Sequence, residues 1–187
     1  MIATETTLKR IWEGCKQHNR KQQELLYQLL APRMLTACLR YIADRDEAQD
    51  VMQEGFIKVF SAMHKYRGEG SLEGWIRRIM VHSAISRHRK QKLVVLADEL
   101  PEGMHTQMTY NNNNLEAKDL LHLIQQLPDT YRNVFNLYAI EGYSHQEIGN
   151  VLGISELVSR TTLCRARGVL KDKLSGLQAR EKHRLAS

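Results

Sequence analysis

The chain has 187 residues, with 27 Lys and Arg against 21 Asp and Glu, so its formal net charge is +6 when histidine is neutral. Its hydrophobic fraction of 42% excludes a collagen-like chain and a wholly disordered one. No run approaches the roughly 18 uncharged apolar residues of a membrane span. Charged residues also interrupt the N-terminus before a signal sequence can form. We therefore expect a soluble, cytoplasmic chain without membrane insertion.

Three cysteines, Cys15, Cys38 and Cys164, are scattered along the chain. An odd number without a close pair argues against a disulfide framework and against a zinc site. We expect no metal and no cofactor. The arginines near Cys164 would lower the pKa of a thiol, which leaves a redox switch there as the less favoured alternative to a simple packing or surface cysteine.

Charge is segregated along the sequence. Five acids and one base occur between Asp44 and Glu54, whereas six Lys or Arg, two His and no acid occur between Arg77 and Lys92. A second basic run, from 160 to 173, has five Lys or Arg and one Asp. A single run of this kind is as often a solvated helix face as a binding surface. Two basic runs beside separate apolar patterns favour a polyanionic partner such as nucleic acid.

Apolar residues in the first half recur every three or four positions, which predicts helices. One predicted helix, at 46–63, has the inward face Ala48, Met52, Phe56, Val59 and Met63. Another has the inward face Leu25, Leu29, Met34 and Leu39. A third has the inward face Leu72, Trp75, Ile76, Ile79 and Ile85. Pro32 is expected to bend or divide the second of these helices, and Trp75 is interpreted as a core residue.

The helical pattern lapses where proline, glycine and four consecutive asparagines occur among polar residues, a composition typical of a linker. It resumes at Leu115 and continues to about Leu177. We therefore predict an all-α fold of two small helical domains joined by a flexible linker. The predicted divisions are a first domain at 1–93, a linker at 94–114, a second domain at 115–178 and a frayed tail at 179–187.

The second domain contains a helix-turn-helix pattern. Ser144 and Glu147 have the spacing of a capping box, which begins a helix. Gly153 suits the left-handed turn that ends this helix, and Ser155 can cap the next one. The second helix would enter the major groove of DNA, where arginines read guanine edges or hold phosphates and Thr161 contacts a thymine methyl group.

The two faces of that second helix are predicted from its spacing. The inward face consists of Ser159, Leu163, Ala166 and Leu170. The outward face presents Glu156, Leu157, Arg160, Thr161, Thr162 and Arg165. The pattern favours DNA binding over a plain helical hairpin, but it does not distinguish activation, repression and initiation.

The first domain combines an acidic helix face, a glycine-bearing loop and a basic helix. The acidic side chains lie opposite the apolar face and form either a solvated surface or a docking surface for a basic partner. The loop Tyr66–Ser71 precedes the basic helix. Such a loop can hold an unpaired base while the basic helix follows the phosphates, so the segment suits single-stranded nucleic acid.

Together these segments resemble the bacterial RNA polymerase sigma factors of the extracytoplasmic-function group. The resemblance covers about residues 10–175 through five ordered motifs, LLAPRMLTACLRY, DEAQDVMQEGFIKVF, YRGEGSLEGWIRRI, YRNVFNLYAIEGYSHQEIGNVLGIS and LCRARGVLKDKL. It implies a transcription initiation factor, not an enzyme, that binds core RNA polymerase, directs it to promoters and promotes strand opening. It also implies an anti-sigma or other regulatory protein as a partner.

The resemblance assigns residues to three binding surfaces. For core RNA polymerase it implies Asp46, Asp50, Gln53 and Glu54. For the single-stranded minus-10 element of promoter DNA it implies Tyr66, Arg67, Ser71, Arg77, Arg78, His82, Ser83, Arg87 and Lys90. For the duplex minus-35 element it implies Ser144, Glu156, Leu157, Arg160, Thr161, Thr162 and Arg165.

Four residues depart from the family pattern. His82 and Ser86 occur where Asn and Asp are usual, and Leu157-Val158 replaces the usual Gly-Thr at the start of the recognition helix. Leucine cannot make the hydrogen bonds of threonine. We therefore expect altered minus-10 and minus-35 preferences, with polymerase docking unchanged.

Two other functions remain as alternatives. A conventional helix-turn-helix regulator of duplex DNA explains the second domain but leaves the acidic face and the basic helix of the first domain unexplained. A hydrolase or nuclease would need a carboxylate pair or a Cys/His arrangement near His64, His82 and His88, and the sequence provides neither. A regulator leaves promoter thymines paired, whereas a sigma factor with core polymerase exposes them to permanganate.

Overall fold

The computed structural model describes the backbone of residues 5–95 and 115–185 and the side chains of residues 6–87 and 120–175. Within these ranges the chain forms helices and no β-strand, which confirms the all-α prediction. The chain divides near residue 106 into two compact units. In the same ranges, no helix is both long and apolar enough to cross a membrane. Most of the predicted linker lies outside the described residues.

The first unit contains α1 (Glu5–Lys16), α2 (Arg20–Leu39), α3 (Arg45–Ser61) and α4 (Leu72–Val95). A short 3₁₀ turn, Met63–Lys65, follows α3. The side chains of Asn19 and Asp44 accept hydrogen bonds from backbone N–H groups and so cap α2 and α3. Helices α2, α3 and α4 pack against one another, and α1 packs on α2. The predicted apolar face of α3 is confirmed, since all five of its residues are buried.

The predicted face of α2 is confirmed at Met34 and Leu39, which are buried, and is wrong by one position at Leu25 and Leu29. Leu25 is 41% exposed, whereas Leu26 and Leu30 are 0% and 1% exposed, and they lead a buried face that continues through Met34. Both Leu25-Leu26 and Leu29-Leu30 are adjacent apolar pairs, so either row of leucines fits the helical period. Pro32 does not divide the helix, because α2 is continuous from Arg20 to Leu39 and Pro32 lies on its exposed side.

The second unit contains α5 (Leu115–Gln125), α6 (Asp129–Phe135), α7 (His145–Leu152) and α8 (Glu156–Leu185). A π-helical turn, Asn136–Ile140, continues α6. The core of this unit joins α5 to α8 and consists of Leu123, Ile124, Leu127, Ala166 and Leu170. Helix α8 continues to Leu185, beyond its predicted end near 177 and into the segment expected to be a frayed tail.

The helix-turn-helix between α7 and α8 follows the sequence prediction. Ser144 Oγ accepts a hydrogen bond from the Glu147 N–H at 3.2 Å, and the Ser144 N–H donates to Glu147 Oε2 at 2.8 Å, which completes the capping box. Gly153 has φ +70°, the left-handed conformation that ends α7. Ser155 Oγ then accepts from the Val158 N–H at 3.2 Å and caps α8.

Gly149 allows the turn to fold back closely onto α7. A Cβ atom at Gly149 would lie 2.7 Å from the backbone oxygen of Ile154, a distance that would force the turn to move. Gly168, in the middle of α8, has no atom within 4 Å of the corresponding position. The two glycines therefore form a matched pair for substitution by alanine.

We predict opposite changes in stability for the two substitutions. Gly168→Ala should raise the free energy of unfolding by about 1 kcal/mol, because alanine favours the helix over the unfolded chain. Gly149→Ala should lower it by about 1–3 kcal/mol, because overpacking costs more than the helical preference gains. Urea unfolding followed by far-UV circular dichroism measures both. An increase for both variants would show that the turn does not press on Gly149.

Candidate nucleic-acid interface

The acidic face of α3 is formed by four side chains that are all exposed, Asp46, Asp50, Gln53 and Glu54. Phe56 and Val59 on the opposite side are buried, so the predicted division of this helix is confirmed. Glu54 Oε1 accepts a hydrogen bond from Arg87 Nη2 of α4 at 2.7 Å. Ile57, one turn beyond Gln53, is 66% exposed. The acidic face therefore has an apolar neighbour at one end and meets the basic helix through an ion pair.

A cleft of about 360 Å³ lies between the end of α3 and the side of α4. Its lining combines three basic side chains with a histidine, two hydroxyls and apolar groups. The lining residues are Lys58, Ala62, Lys65, Trp75, Arg78, Ile79, His82, Ser83 and Ser86. An apolar and aromatic surface beside cations is the combination that holds a nucleobase together with its phosphate.

Trp75 lines this cleft and is only partly buried. Its interpretation as a plain core residue is therefore wrong, although Leu72, Ile76 and Ile85 of the same predicted face are buried. The helical period identified the correct side of α4, but it cannot tell a core position from the wall of a cleft at the edge of that core.

The surroundings of His82 in the cleft favour the neutral form of its imidazole. Desolvation first, and the positive charge of Arg78 second, lower the pKa of His82 from its ordinary value of 6.5. A neutral imidazole has one hydrogen-bond donor and one acceptor, and it is not a cation for a phosphate.

Ser83 and Lys58 are linked across the cleft. Ser83 is 5% exposed, and its hydroxyl oxygen accepts a hydrogen bond from Lys58 Nζ at 2.9 Å. Ser83 therefore positions a cation in addition to lining the cleft. The sequence analysis missed Lys58 and Lys65 as cleft residues. Only Lys58 could have been found from the sequence, because it lies one helical turn after Glu54 of the acidic face.

The loop Tyr66–Ser71 is shaped by two glycines and by its first residue. Gly68 and Gly70 have φ +81° and +78°, conformations that favour glycine. The Tyr66 hydroxyl donates to the backbone oxygen of Gly70 at 2.8 Å and closes the loop. Arg67 is exposed, and Ser71 Oγ accepts a hydrogen bond from a backbone N–H in the first turn of α4 at 3.4 Å.

The structure divides the residues expected to bind the minus-10 element into separate groups. Arg78, His82 and Ser83 meet in the cleft. The predicted residues of the loop, Tyr66, Arg67 and Ser71, do not line it. Arg77 is partly buried, Arg87 is paired with Glu54, and the side chain of Lys90 lies outside those described.

The outward face of α8 is as predicted except at one residue. The exposed residues are Glu156, Leu157, Arg160, Thr161 and Arg165. Thr162 is 7% exposed, so its predicted outward position is wrong. It lies three residues after Ser159 and four before Ala166, both at 0% exposure, so the helical period places it on the inward face.

The first turns of α8 present both polar and apolar groups. Arg160 donates to Glu156 Oε1 through Nη2 at 2.6 Å and through Nε at 3.1 Å. The Thr161 hydroxyl donates to backbone oxygens of its own helix, among them that of Leu157 at 3.1 Å. Leu157 is 70% and Val158 44% exposed. The N-terminal end of the helix therefore offers an ion pair and two apolar side chains to a groove.

A second set of contacts fixes α8 relative to α7. His145 Nδ1 and Ser159 Oγ form a hydrogen bond of 2.9 Å between the two helices. The Tyr138 ring stacks on His145 with centroids 4.6 Å apart, and the Arg167 guanidinium carbon lies 5.6 Å from the Tyr138 centroid. Sequence analysis missed these supporting residues because they are far apart in sequence. Ser144 was expected to bind the minus-35 element. Its hydroxyl already caps α7, so a contact with DNA would have to share or replace the capping hydrogen bond.

Two of the three cysteines are buried, and the third is exposed. Burial raises the pKa of Cys15 to about 11 and that of Cys38 to about 12, which keeps both as thiols at neutral pH. Cys164 is exposed. Among the described residues, no group of three or more His, Cys, Asp or Glu is arranged to hold a metal ion.

Comparison with known proteins finds two family matches. Residues 26–94 match Sigma-70 region 2, and residues 117–170 match Sigma-70 region 4. The first match contains the acidic face, the loop and the cleft, and the second contains the helix-turn-helix.

Curated relatives match across both units. The ECF RNA polymerase sigma factor SigE of Mycolicibacterium smegmatis is 30% identical over 152 residues, which are 78% of this chain and 58% of SigE. The RNA polymerase sigma-H factor of Pseudomonas aeruginosa is 28% identical over 190 residues, which cover 94% of this chain and 98% of that factor.

Two solved structures share the fold. The sigma factor RpoE of Bartonella quintana, crystallised with the anti-sigma factor NepR, matches 81% of this chain and 96% of its own with a TM-score of 0.56 and 19% identity. CnrH, in complex with the cytosolic domain of CnrY, matches 89% of this chain and 96% of its own with a TM-score of 0.52 and 19% identity. With both sigma-70 regions in order and relatives along nearly the whole length, the chain belongs to the sigma-70 family, as a sigma factor of the extracytoplasmic-function group.

Proposed function

We propose that this sigma factor brings core RNA polymerase to its promoters through three separate surfaces and opens the DNA at the minus-10 element. The observation that carries the proposal is the cleft between α3 and α4, which places cations beside an aromatic wall next to the exposed acidic face. RNA synthesis itself is the chemistry of the polymerase. The site of action is the cytoplasm, where the polymerase and the promoters are.

The acidic face of α3 is the proposed docking surface for core RNA polymerase. Its side chains are exposed on a helix whose opposite side is buried, so the polymerase can reach them without any rearrangement of the core. A basic partner surface would complement their charge, and the exposed Ile57 adds apolar area at one end.

The cleft and the loop Tyr66–Ser71 are the proposed surface for the single-stranded minus-10 element. Opening a duplex costs about 1.4 kcal/mol of stacking per base-pair step. Stacking of one base on an aromatic side chain returns about 1–3 kcal/mol, so capture of unpaired bases can offset the opening without a chemical fuel. Trp75 supplies an aromatic wall, and Lys58, Lys65 and Arg78 supply cations for the phosphates.

The N-terminal end of α8 is the proposed surface for the duplex minus-35 element. Arg160 and Arg165 are exposed there, and arginine is the side chain that most often reads guanine in the major groove. Glu156 already holds the Arg160 guanidinium in the free protein, which fixes its direction before DNA binds. Exposed Leu157 fits an apolar feature of the groove, and the thymine methyl group is the one that DNA offers there.

An anti-sigma or other regulatory protein is the proposed inhibitor of this factor. Two structures that share its fold are complexes with a second protein: the sigma factor RpoE with the anti-sigma factor NepR, and CnrH with the cytosolic domain of CnrY. The exposed acidic and basic surfaces of the two units offer such a protein the same groups that polymerase and DNA would bind.

The first prediction concerns polymerase docking. Replacing both Gln53 and Glu54 by alanine should abolish run-off transcription by the reconstituted holoenzyme and weaken binding to core polymerase by at least about tenfold, because it removes two exposed polar groups, one of them charged, from the proposed docking face. Binding is measured by fluorescence anisotropy of the labelled chain, and transcription is measured on a pool of random promoters.

A matched control is available in α2. Gln23 and Glu24 are the same pair of residue types in the same order; Glu24 is exposed and Gln23 is partly buried. Their double alanine variant should bind core polymerase and transcribe like the wild type. Equal loss in both variants, or undiminished binding after the change in α3, would place the docking surface elsewhere.

The second prediction concerns Leu157 and the minus-35 element. Holoenzyme should select thymine at one minus-35 position from a random DNA pool made with thymidine, and should not select uracil there from a pool made with deoxyuridine. The missing methyl group is worth about 0.8 kcal/mol, or roughly fourfold in binding. Sequencing of the bound DNA measures the preference.

Alanine at Leu157 should remove the difference between the two pools, because the partner of the methyl group is then gone. Leu174→Ala is the control, since Leu174 is a 39% exposed leucine farther along the same helix. If the Leu157 variant still distinguishes thymine from uracil, another side chain reads the methyl group.

A further inference from the structure

Helix α1 is attached to the first unit by one apolar face. Leu8, Ile11, Trp12 and Cys15 have the i, i+3, i+4, i+7 spacing of a helix face and are between 0% and 7% exposed. The match to Sigma-70 region 2 begins at residue 26, so α1 lies outside it. What this helix does is therefore argued from its contacts.

Trp12 packs against both ends of the glycine loop. Its ring centroid is 5.9 Å from that of Tyr66 at 86° and 5.7 Å from that of Trp75 at 67°, both in edge-on geometry. The Tyr66 and Trp75 centroids are themselves 5.5 Å apart. Tyr66 is the first residue of the loop, and Trp75 is in the first turn of α4 just after it. The three rings therefore hold the two ends of the loop together.

The tip of the loop is open on the side where side chains would lie. A Cβ atom at Gly68 or Gly70 would meet no atom within 4 Å, and both glycines are exposed. The Tyr66 hydroxyl donates a hydrogen bond of 2.8 Å to the backbone oxygen of Gly70, which links the tyrosine side chain to the tip of the loop. Whatever fixes the Tyr66 ring therefore also fixes the tip.

We propose that Trp12 is a positioning residue for the minus-10 element: by fixing the ring of Tyr66, it sets the glycine loop relative to the cleft wall at Trp75. The proposal rests on the function proposed for the loop and the cleft. Trp12 is 2% exposed and does not touch DNA itself. Its indole Nε1 is buried without a hydrogen-bond partner, so ring packing is what the residue contributes.

Limited proteolysis of the full chain, without polymerase or DNA, tests the positioning directly. Trypsin cleaves after Arg67, which is exposed within the loop. Trp12→Leu removes two ring contacts and should accelerate this cleavage about tenfold. Ile11→Ala is the matched control, because Ile11 is equally buried in α1 but belongs to no ring contact. It should leave the cleavage within about twofold of wild type.

A double-variant cycle shows whether Trp12 acts through Tyr66. Tyr66→Leu alone should also accelerate cleavage after Arg67, and adding Trp12→Leu should then change the rate little, because the shared contact is already lost. Tyr66 is only partly buried, so its substitution leaves the core filled even if Trp12→Leu prevents folding. In that event Trp12→Met replaces Trp12→Leu in the cycle, because methionine keeps a long apolar side chain at this buried position but has no ring. Additive effects, or equal acceleration by Ile11→Ala, would overturn the proposal.

A second readout separates positioning from stability. Reconstituted holoenzyme is given promoters randomised only in the minus-10 element, and the preference among transcribed sequences is measured. Trp12→Leu should reduce the preference for the favoured base about tenfold, while Trp12→Phe restores most of it and Ile11→Ala retains it. An unchanged preference in Trp12→Leu overturns the proposal. If wild-type holoenzyme transcribes no promoter, the proposed function fails, and the proteolysis result still decides whether Trp12 positions the loop.

Discussion

The close packing of α3 on α4 positions every proposed surface of the first unit. Gly55 of α3 is buried, and the side chain of Met80 in α4 occupies the space that a Cβ atom at Gly55 would take, so Met80 packs directly against the backbone of α3. On the surface, this approach brings Arg87 to Glu54 at 2.7 Å and Lys58 to Ser83 at 2.9 Å. One helix pair thus fixes both the acidic face and the adjoining cleft.

This arrangement places an acidic surface and a basic surface next to each other on the first unit. The acidic face and the cationic cleft share α3, and the Glu54–Arg87 pair lies where they meet. Exposed ion pairs contribute little stability, about 0–1 kcal/mol, so this pair is better understood as a link between two surfaces than as a support of the fold. The second unit has a similar exposed ion pair in α8, where Glu156 contacts Arg160 on the surface proposed to face DNA.

Sequence reasoning succeeded where a few neighbouring residues decide the structure. Ser144, Glu147 and Gly153 determine the start and end of α7 through contacts within one or two turns, and all three behave as predicted. It failed where two choices fit the same period, as at the adjacent leucine pairs of α2. Thr162 is a different error, since its spacing from Ser159 and Ala166 already places it on the inward face of α8.

The rest of the site depends on contacts between distant segments. Lys58 reaches a serine 25 positions away, and Trp12 meets Tyr66 and Trp75 from a helix that precedes the family match. The spacing of apolar residues within one segment cannot predict contacts of this kind between different helices. The acidic face, the basic helix and the helix-turn-helix were accessible from the sequence, whereas the cleft that joins aromatic, cationic and neutral histidine groups required the fold.

Strand opening is the property that separates a sigma factor from a protein that only binds duplex DNA. Permanganate footprinting of a promoter, with the chain alone, core polymerase alone and both together, tests it most directly. The account predicts reactive thymines in the minus-10 element only when both proteins are present. Thymines that stay unreactive while the chain protects the minus-35 duplex would contradict it and would indicate a conventional helix-turn-helix regulator.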